Sequence, residues 1–205
     1  MGLSFHYNGK IADPEMLPGL IDEVQDIAKV HNWRYFVFDR QFTITDFGKL
    51  GHNENIYGIC FTPPGCETVD ICFLSNGRMS SITNLKFWGE STDPTEKEYL
   101  YMLSVKTQYA SVELHQLLIH LFRYLNGKYL SDFNLYDEGD YWETNDAILL
   151  RTNFDKNMAL INSFGSALEL IPKESGEDIE AYLERIIKLI HEKKDEIGDS
   201  LGNLN

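Results

Sequence analysis

Short runs of alternating apolar and polar residues fill much of the N-terminal half of the chain, and this is the pattern of β-strands with one buried face. In LSFHYNGK, the apolar residues Leu3, Phe5 and Tyr7 alternate with polar ones. Asn76-Gly77 joins two such runs. Both residues tolerate the positive φ of a tight hairpin turn, so the runs around it are predicted to pair antiparallel. Further strands are predicted at residues 33–39, 56–61, 68–75, 79–88, 99–108 and 131–139.

Two segments between these strands carry apolar residues at helical spacing. Residues 17–32 form an amphipathic pattern, and residues 111–129 are apolar on most of a helical circumference. The second helix is predicted to end at Asn126-Gly127, because glycine favours the conformation that ends helices. Both helices are expected to cover a sheet. Their apolar positions are Leu17, Leu20, Ile21, Val24, Ile27 and Ala28, and Val112, Leu114, Leu117, Leu118, Leu121, Phe122 and Leu125.

Beyond Thr144 the pattern is helical as far as the last residues. Pro172 ends one predicted helix, and Ser175 with Asp178 provides a start for the next. The last helix carries an apolar seam at Ile179, Leu183, Ile186, Ile190 and Ile197.

The sequence therefore predicts an α+β fold. Residues 1–145 are expected to form one domain, an antiparallel meander sheet of about five to seven strands covered by helices. Residues 146–205 are expected to form a helical C-terminal extension, packed on that domain or on a second subunit.

Net charge limits the classes of partner. The chain has a formal net charge of −14, and its 18 lysine and arginine residues are scattered. Nucleic-acid binding needs clustered cations that displace phosphate counterions, so no nucleic-acid partner is expected. An anionic membrane surface is disfavoured for the same reason. A basic protein partner is compatible with this charge, and the apolar seam of the last helix suits a homodimer.

Motifs of common cofactor and metal sites are absent from the sequence. It contains no phosphate loop, dinucleotide-binding turn, nucleophile elbow, metalloprotease helix or Cys-x-x-Cys pair. Cys60, Cys66 and Cys72 have no clear fourth zinc ligand close in sequence. We therefore expect neither a cofactor nor a metal. An odd number of cysteines, with no signal-peptide pattern and no apolar run of about 20 residues, predicts a cytoplasmic protein.

The densest polar chemistry lies in LYDEGDYWETND, residues 135–146. Asp137, Glu138 and Asp140 are candidate catalytic carboxylates, because a carboxylate beside a histidine can transfer protons. Tyr136, Tyr141 and Trp142 are candidates for binding a partner, although packing of these rings onto the body is the alternative. The same segment also fits the approach to a helix, since Thr144 suits its start and Glu143 and Asp146 suit its dipole.

His115 and His120 are the histidine candidates, and both lie in the predicted helix 111–129. They stand about 140° apart around the helix axis at about 100° per residue, so they are not expected to bind one metal. The alternatives are a hydrogen-bonded core position for His115 and an ordinary, partly exposed position for His120.

Several stretches of the sequence resemble a family of uncharacterised bacterial proteins. They are LSFHYNGK, YGICFTPPGCETVDICFLSNGRMSS, LSVKTQYAS, HLFRYL and DEGDYWET, within residues 3–150. The resemblance implies a bacterial, cytoplasmic setting. The resemblance implies no catalytic residue, because no activity is associated with that family.

Charge and missing motifs favour a non-enzymatic protein-binding or regulatory module, of the immunity type for example, whose acidic surface meets a basic partner. The alternative is an enzyme without a recognisable motif, in which carboxylates from 137–146 act with His115 or His120 as acid and base. A pocket shared by these groups would favour the enzyme, and a His115 buried among apolar side chains would favour the binding protein.

Overall fold

The computed structural model describes residues 2–43, 45–174 and 176–189. Contacts between them divide the chain into two compact units. The first unit, named the body below, is Leu3–Phe154, and the second contains Gly2 and, of the described residues, 155–174 and 176–189. The division lies within a long helix and later than the boundary predicted after residue 145.

Strands and helices are mixed along the body, which confirms the α+β class. The strands are β1 Ser4–Ile11, β2 Arg34–Val37, β3 Tyr57–Thr62, β4 Val69–Phe73, β5 Leu103–Lys106 and β6 Leu130–Asp137. The helices are α1 Leu17–Val30, preceded by a 3₁₀ turn at Pro14–Met16, then α2 Ile82–Trp88, α3 Pro94–Tyr99, α4 Val112–Lys128, α5 Tyr141–Thr144 and α6 Ala147–Leu170.

The strands form two three-stranded antiparallel sheets, in the orders β5-β1-β6 and β2-β3-β4. Arg78 and Met79 connect the two sheets. Arg78 bridges to Lys10 of β1, and Met79 bridges to Phe73 of β4. β1 therefore pairs with β5 near its start and with the residues after the Asn76-Gly77 turn near its end.

The prediction of a single meander of about five to seven strands is not confirmed. The return after the Asn76-Gly77 turn, predicted as a strand over 79–88, pairs with β4 at Met79 and then becomes α2. Ser81 begins this helix, because its Oγ accepts a hydrogen bond from Asn84 N at 3.0 Å. Leu85 and Trp88 pack at helical spacing against a small apolar cluster. The helix cap at Ser81 and this packing therefore favour a helix, although the alternation of residues predicted a strand.

Helices cover one face of each sheet. α1 contacts β2 and β3, and α4 contacts β6. The ring of Phe122 in α4 lies 5.4 Å from that of Phe5 and 4.6 Å from that of Tyr7, measured between centroids. Burying a phenylalanine contributes about 1.5–3 kcal/mol to stability. His6 and Asn8 alternate with these residues on the opposite face of β1 and are exposed.

The second unit is helical over 155–170 and again over 179–189. Asp178 begins the later helix by accepting a hydrogen bond from Ala181 N at 2.8 Å. Tyr182 OH donates to the carbonyl of Ile171 at 2.8 Å and joins the two helical segments. The predicted start residue Ser175 and the seam residues Ile190 and Ile197 lie outside the described residues.

Asp70 of β4 is a half-buried carboxylate, and burial raises its pKa to about 6. An aspartate in an unfolded chain ionises with a pKa of about 3.9. As the pH rises between these two values, the unfolded chain becomes charged while the folded chain still holds its proton. The free energy of unfolding contributed by Asp70 therefore falls through this window and stays low above it.

We expect Asp70→Asn to raise the free energy of unfolding by about 2 kcal/mol near neutral pH, because the neutral amide removes the cost of a buried charge. Below the unfolded-state pKa both forms are neutral, and the two proteins should have similar stability. Urea unfolding at the two pH values measures both differences. An equal difference in stability between the two proteins at both pH values would contradict the titration of Asp70.

Candidate functional site

Three buried side chains form a continuous hydrogen-bonded group, named the buried polar cluster: Thr107 after β5, His115 of α4 and Asp137 at the end of β6. Thr107 Oγ1 lies 2.8 Å from His115 Nδ1. His115 Nε2 lies 3.1 Å from Asp137 Oδ1 and 3.2 Å from Oδ2. The side chains of His115 and Asp137 are 0% exposed. The structure therefore brings two sequence candidates together inside the core.

Backbone amides surround the Asp137 carboxylate. Its oxygens accept hydrogen bonds from Gly139 N at 2.7 Å, Tyr141 N at 2.9 Å and Trp142 N at 3.0 Å. The last two amides belong to the first turn of α5, where amides have no partner within the helix. Burial raises the pKa of Asp137, but the hydrogen bond and charge of His115 and the amides of Gly139 and Trp142 outweigh it, and the pKa lies below its usual value.

The hydrogen bonds of the buried polar cluster can form whether the His115 ring is neutral or charged. An ionised Asp137 only accepts hydrogen bonds, so His115 Nε2 donates to it. In a neutral ring, Nδ1 accepts from the Thr107 hydroxyl. In a charged ring, Nδ1 donates to that hydroxyl, whose proton then faces the Leu3 carbonyl 3.4 Å away.

The buried polar cluster has no room for a substrate. A Cβ atom added at Gly139 would lie 2.6 Å from Leu150 Cδ1, 3.1 Å from Asp137 Oδ1 and 3.3 Å from His115 Nε2, so the space beside the carboxylate is closely packed. The rings of Phe5 and Phe154 stand edge-on to the His115 imidazole, with centroids 5.9 and 5.6 Å away. A general acid or base needs its substrate at about 2.6–3.2 Å, and in this arrangement neighbouring side chains fill that space.

The other candidate catalytic residues have different partners. Glu138 Oε2 accepts a hydrogen bond from Ser4 N at 2.7 Å, and Asp140 Oδ2 accepts one from Asn153 Nδ2 at 3.1 Å. His120 is exposed, and its Nε2 lies 3.2 Å from Tyr141 OH. Of the five candidate catalytic residues, only His115 and Asp137 form one site.

The three aromatic candidates for binding also separate. Tyr136 is 63% exposed on the face of β6 that points away from the core, and its ring stacks with that of His6. Tyr141 is only 5% exposed. Trp142 is half-buried against Phe133. Tyr136 is therefore the aromatic candidate that a partner can reach.

The helix after this segment begins at Asp146 and not at Thr144. Asp146 Oδ1 accepts hydrogen bonds from Ile148 N at 2.8 Å and Leu149 N at 3.0 Å. Thr144 ends the short helix α5 and accepts a hydrogen bond from Asp146 N through its hydroxyl at 3.1 Å. Asp146 thus has a structural duty as the cap of α6.

A groove of about 710 Å³ lies where the end of β1 and the first half of β6 meet residues 47–50 and the turn at Asn76, and we name it the sheet groove. Its exposed β1 positions follow from the strand period, but the approach of Arg78 and Tyr101 depends on tertiary contacts that the sequence pattern does not contain. The sequence pattern therefore does not reveal this groove. Its lining residues include Asn8, Lys10, Phe47, Lys49, Leu50, Asn76, Arg78, Tyr101, Ser131, Asp132 and Asn134.

Metal and membrane features are not found in the part of the chain that the structure describes. Among those residues, no group of three or more histidine, cysteine, aspartate or glutamate side chains is placed to hold a metal ion. None of the helices described there combines the length and the apolar character needed to cross a membrane.

No protein-family model matches the sequence, and comparisons with curated proteins and with solved structures give no significant match. Function is therefore inferred from the residues and their geometry.

We expect Asp137→Asn to lower the free energy of unfolding by about 3 kcal/mol or more, because an amide leaves a buried donor and several backbone amides without good partners. Chemical denaturation measures the loss. Asp146→Asn is a matched control, since asparagine caps helices about as well as aspartate and should cost less than about 0.5 kcal/mol. Similar stability of the two variants would contradict the role assigned to Asp137.

Proposed function

We propose that this protein is a non-enzymatic protein-binding module of the regulatory type. The observation that carries the proposal is the enclosure of the only acid and base candidates that meet, His115 and Asp137, both with 0% side-chain exposure. The hydrogen bonds of the buried polar cluster join the residue after β5, helix α4 and the end of β6. The rival enzyme would need these two groups to open towards a substrate, and no such opening supports it in this conformation.

An exposed acidic segment, defined as Glu138, Asp140, Glu143 and Asp146, supports a basic protein as the partner. All four residues are exposed. Arg123 reaches this part of the chain, but it donates to the carbonyls of Tyr141 and Trp142 at 2.9 Å and to the Asn145 side chain. Its charge therefore pairs with none of the four carboxylates, and Glu138 Oε1 lies 3.5 Å from His6 Nε2. A partner rich in lysine or arginine would supply further countercharge to this segment.

A homodimer through the C-terminal helix is a second proposal about assembly. Its support is the sequence pattern, because Ile190 and Ile197 of the seam lie outside the described residues. Of the described seam residues, Ile179 is 62% exposed, whereas Ile186 is 0% exposed. Removal of residues 173–205 followed by measurement of the solution mass tests whether self-association depends on this helix.

We expect Glu143→Lys to weaken binding of the basic partner by about tenfold, because it reverses one charge of the acidic segment. The measurement is capture of partners from a lysate of the source organism on the immobilised full chain, followed by the affinity of the captured protein. Binding should fall with added salt, since exposed charges are screened.

Glu98→Lys is the matched control, because Glu98 is also exposed but belongs to α3. It makes the same change of net charge at another surface and should leave affinity nearly unchanged. Equal losses in both variants, or self-association alone under every salt condition, would contradict the proposed partner surface.

A further inference from the structure

Arg78 brings an uncompensated positive charge to the sheet groove. It is exposed, and it forms no ion pair with any residue inside the ranges that the structure describes. The other cations of the groove are paired, Lys10 with Asp132 at 2.9 Å and Lys49 with Asp46 at 3.3 Å. Arg78 is therefore the cation that a ligand can use without breaking an existing ion pair.

The position of Arg78 is fixed by its neighbours. Its guanidinium carbon lies 3.3 Å from the centre of the Tyr101 ring. The 7%-exposed Asn76 holds both partners, since its Nδ2 donates to Tyr101 OH at 3.1 Å and its Oδ1 accepts from Arg78 N at 3.0 Å. Stacking occupies one face of the guanidinium and leaves the N–H groups on its edge for a planar or tetrahedral anion.

The charge of the sheet groove is opposite in sign to that of the chain. Lys10, Lys49 and Arg78 line it, and Asp132 of the lining and the adjacent Asp46 pair with the two lysines, so the charge of Arg78 is left in excess. The whole chain, in contrast, carries a formal net charge of −14. A local excess of cations on an acidic protein concentrates anions at that place. The groove is thus complementary to a ligand with an anionic group.

Uncharged polar groups beside the cation suit hydroxyl groups. Asn8 and Asn134 are exposed on neighbouring strands, and their side chains are 3.4 Å apart, longer than a strong hydrogen bond. Each amide can donate and accept, which is what a hydroxyl requires. The groove volume of about 710 Å³ lies within the range of about 300–1,000 Å³ of small-molecule sites.

We propose that the sheet groove binds a small hydroxylated anion, a sugar phosphate or a sugar acid. Its phosphate or carboxylate group pairs with the edge of Arg78, and its hydroxyl groups bond to Asn8 and Asn134. The site contains no residue of the acidic segment, so a test of this proposal does not depend on whether the chain binds a basic protein partner.

Titration calorimetry on the full chain tests this site with glucose 6-phosphate, gluconate and neutral glucose as probes. We expect at least one of the two anions to bind, and glucose to bind at least about tenfold more weakly. The two anions distinguish a phosphate from a carboxylate as the preferred group. Arg78→Gln should weaken binding of the preferred anion about 10- to 100-fold, because it removes charge-assisted hydrogen bonds.

Arg34→Gln is the matched control, because Arg34 is also exposed and belongs to β2 outside the groove lining. It should bind like the wild type. Asn134→Asp is a second variant. It keeps the side-chain shape and adds a repelling charge, and it should also weaken binding of the anion. Neither anion binding at about 10 mM, equal binding of glucose, or wild-type affinity in Arg78→Gln would overturn the proposal.

Discussion

The hydrogen bonding of the buried Asp137 carboxylate is the interaction on which the arrangement of the body depends. Asp137 is the last residue of β6. Its carboxylate accepts hydrogen bonds from the first amides of α5 and from His115 of α4. Through Thr107 the same group reaches the end of β5 and the Leu3 carbonyl before β1. Leaving a buried charge without its partner costs about 3–5 kcal/mol. These elements are therefore fixed relative to one another by one acidic side chain.

Strand β1 links this interior to the surface because its side chains alternate between two faces. Phe5 and Tyr7 point into the core beside α4, and Tyr7 OH also donates to the Asp70 carbonyl of the second sheet at 2.9 Å. Asn8 and Lys10 face the sheet groove. The rigid core thus supports a polar open face, and the bridges at Arg78 and Met79 place an arginine where the two sheets meet.

Patterns governed by burial were predictable from the sequence. β1, α1 and α4 lie where periodicity placed them, because each has one face packed in the core. Residues 79–88 were not predictable by the same rule. Ile82 and Phe87 are 56% and 67% exposed, so apolar residues there do not report burial, and the cap at Ser81 selects a helix.

The candidate site was predictable only in part, for a similar reason. Residue type and spacing identified His115 and Asp137, but not their contact, because they are distant in the chain and meet through α4 packing on β6. Thr107 gave no signal, since a lone hydroxyl after a strand is common. Arg78 and Tyr101 were missed because their stack depends on the turn that joins the two sheets.

Reaction of the histidines with diethyl pyrocarbonate tests the enclosure of the buried polar cluster most directly. The folded chain is treated briefly, and modification of each histidine is read by peptide mass spectrometry. His120 and His31 are exposed and should react, whereas His115, with 0% side-chain exposure, should remain unmodified until the chain unfolds. Modification of His115 at the rate of His120 in the folded protein would contradict its structural role and would favour an open, reactive site.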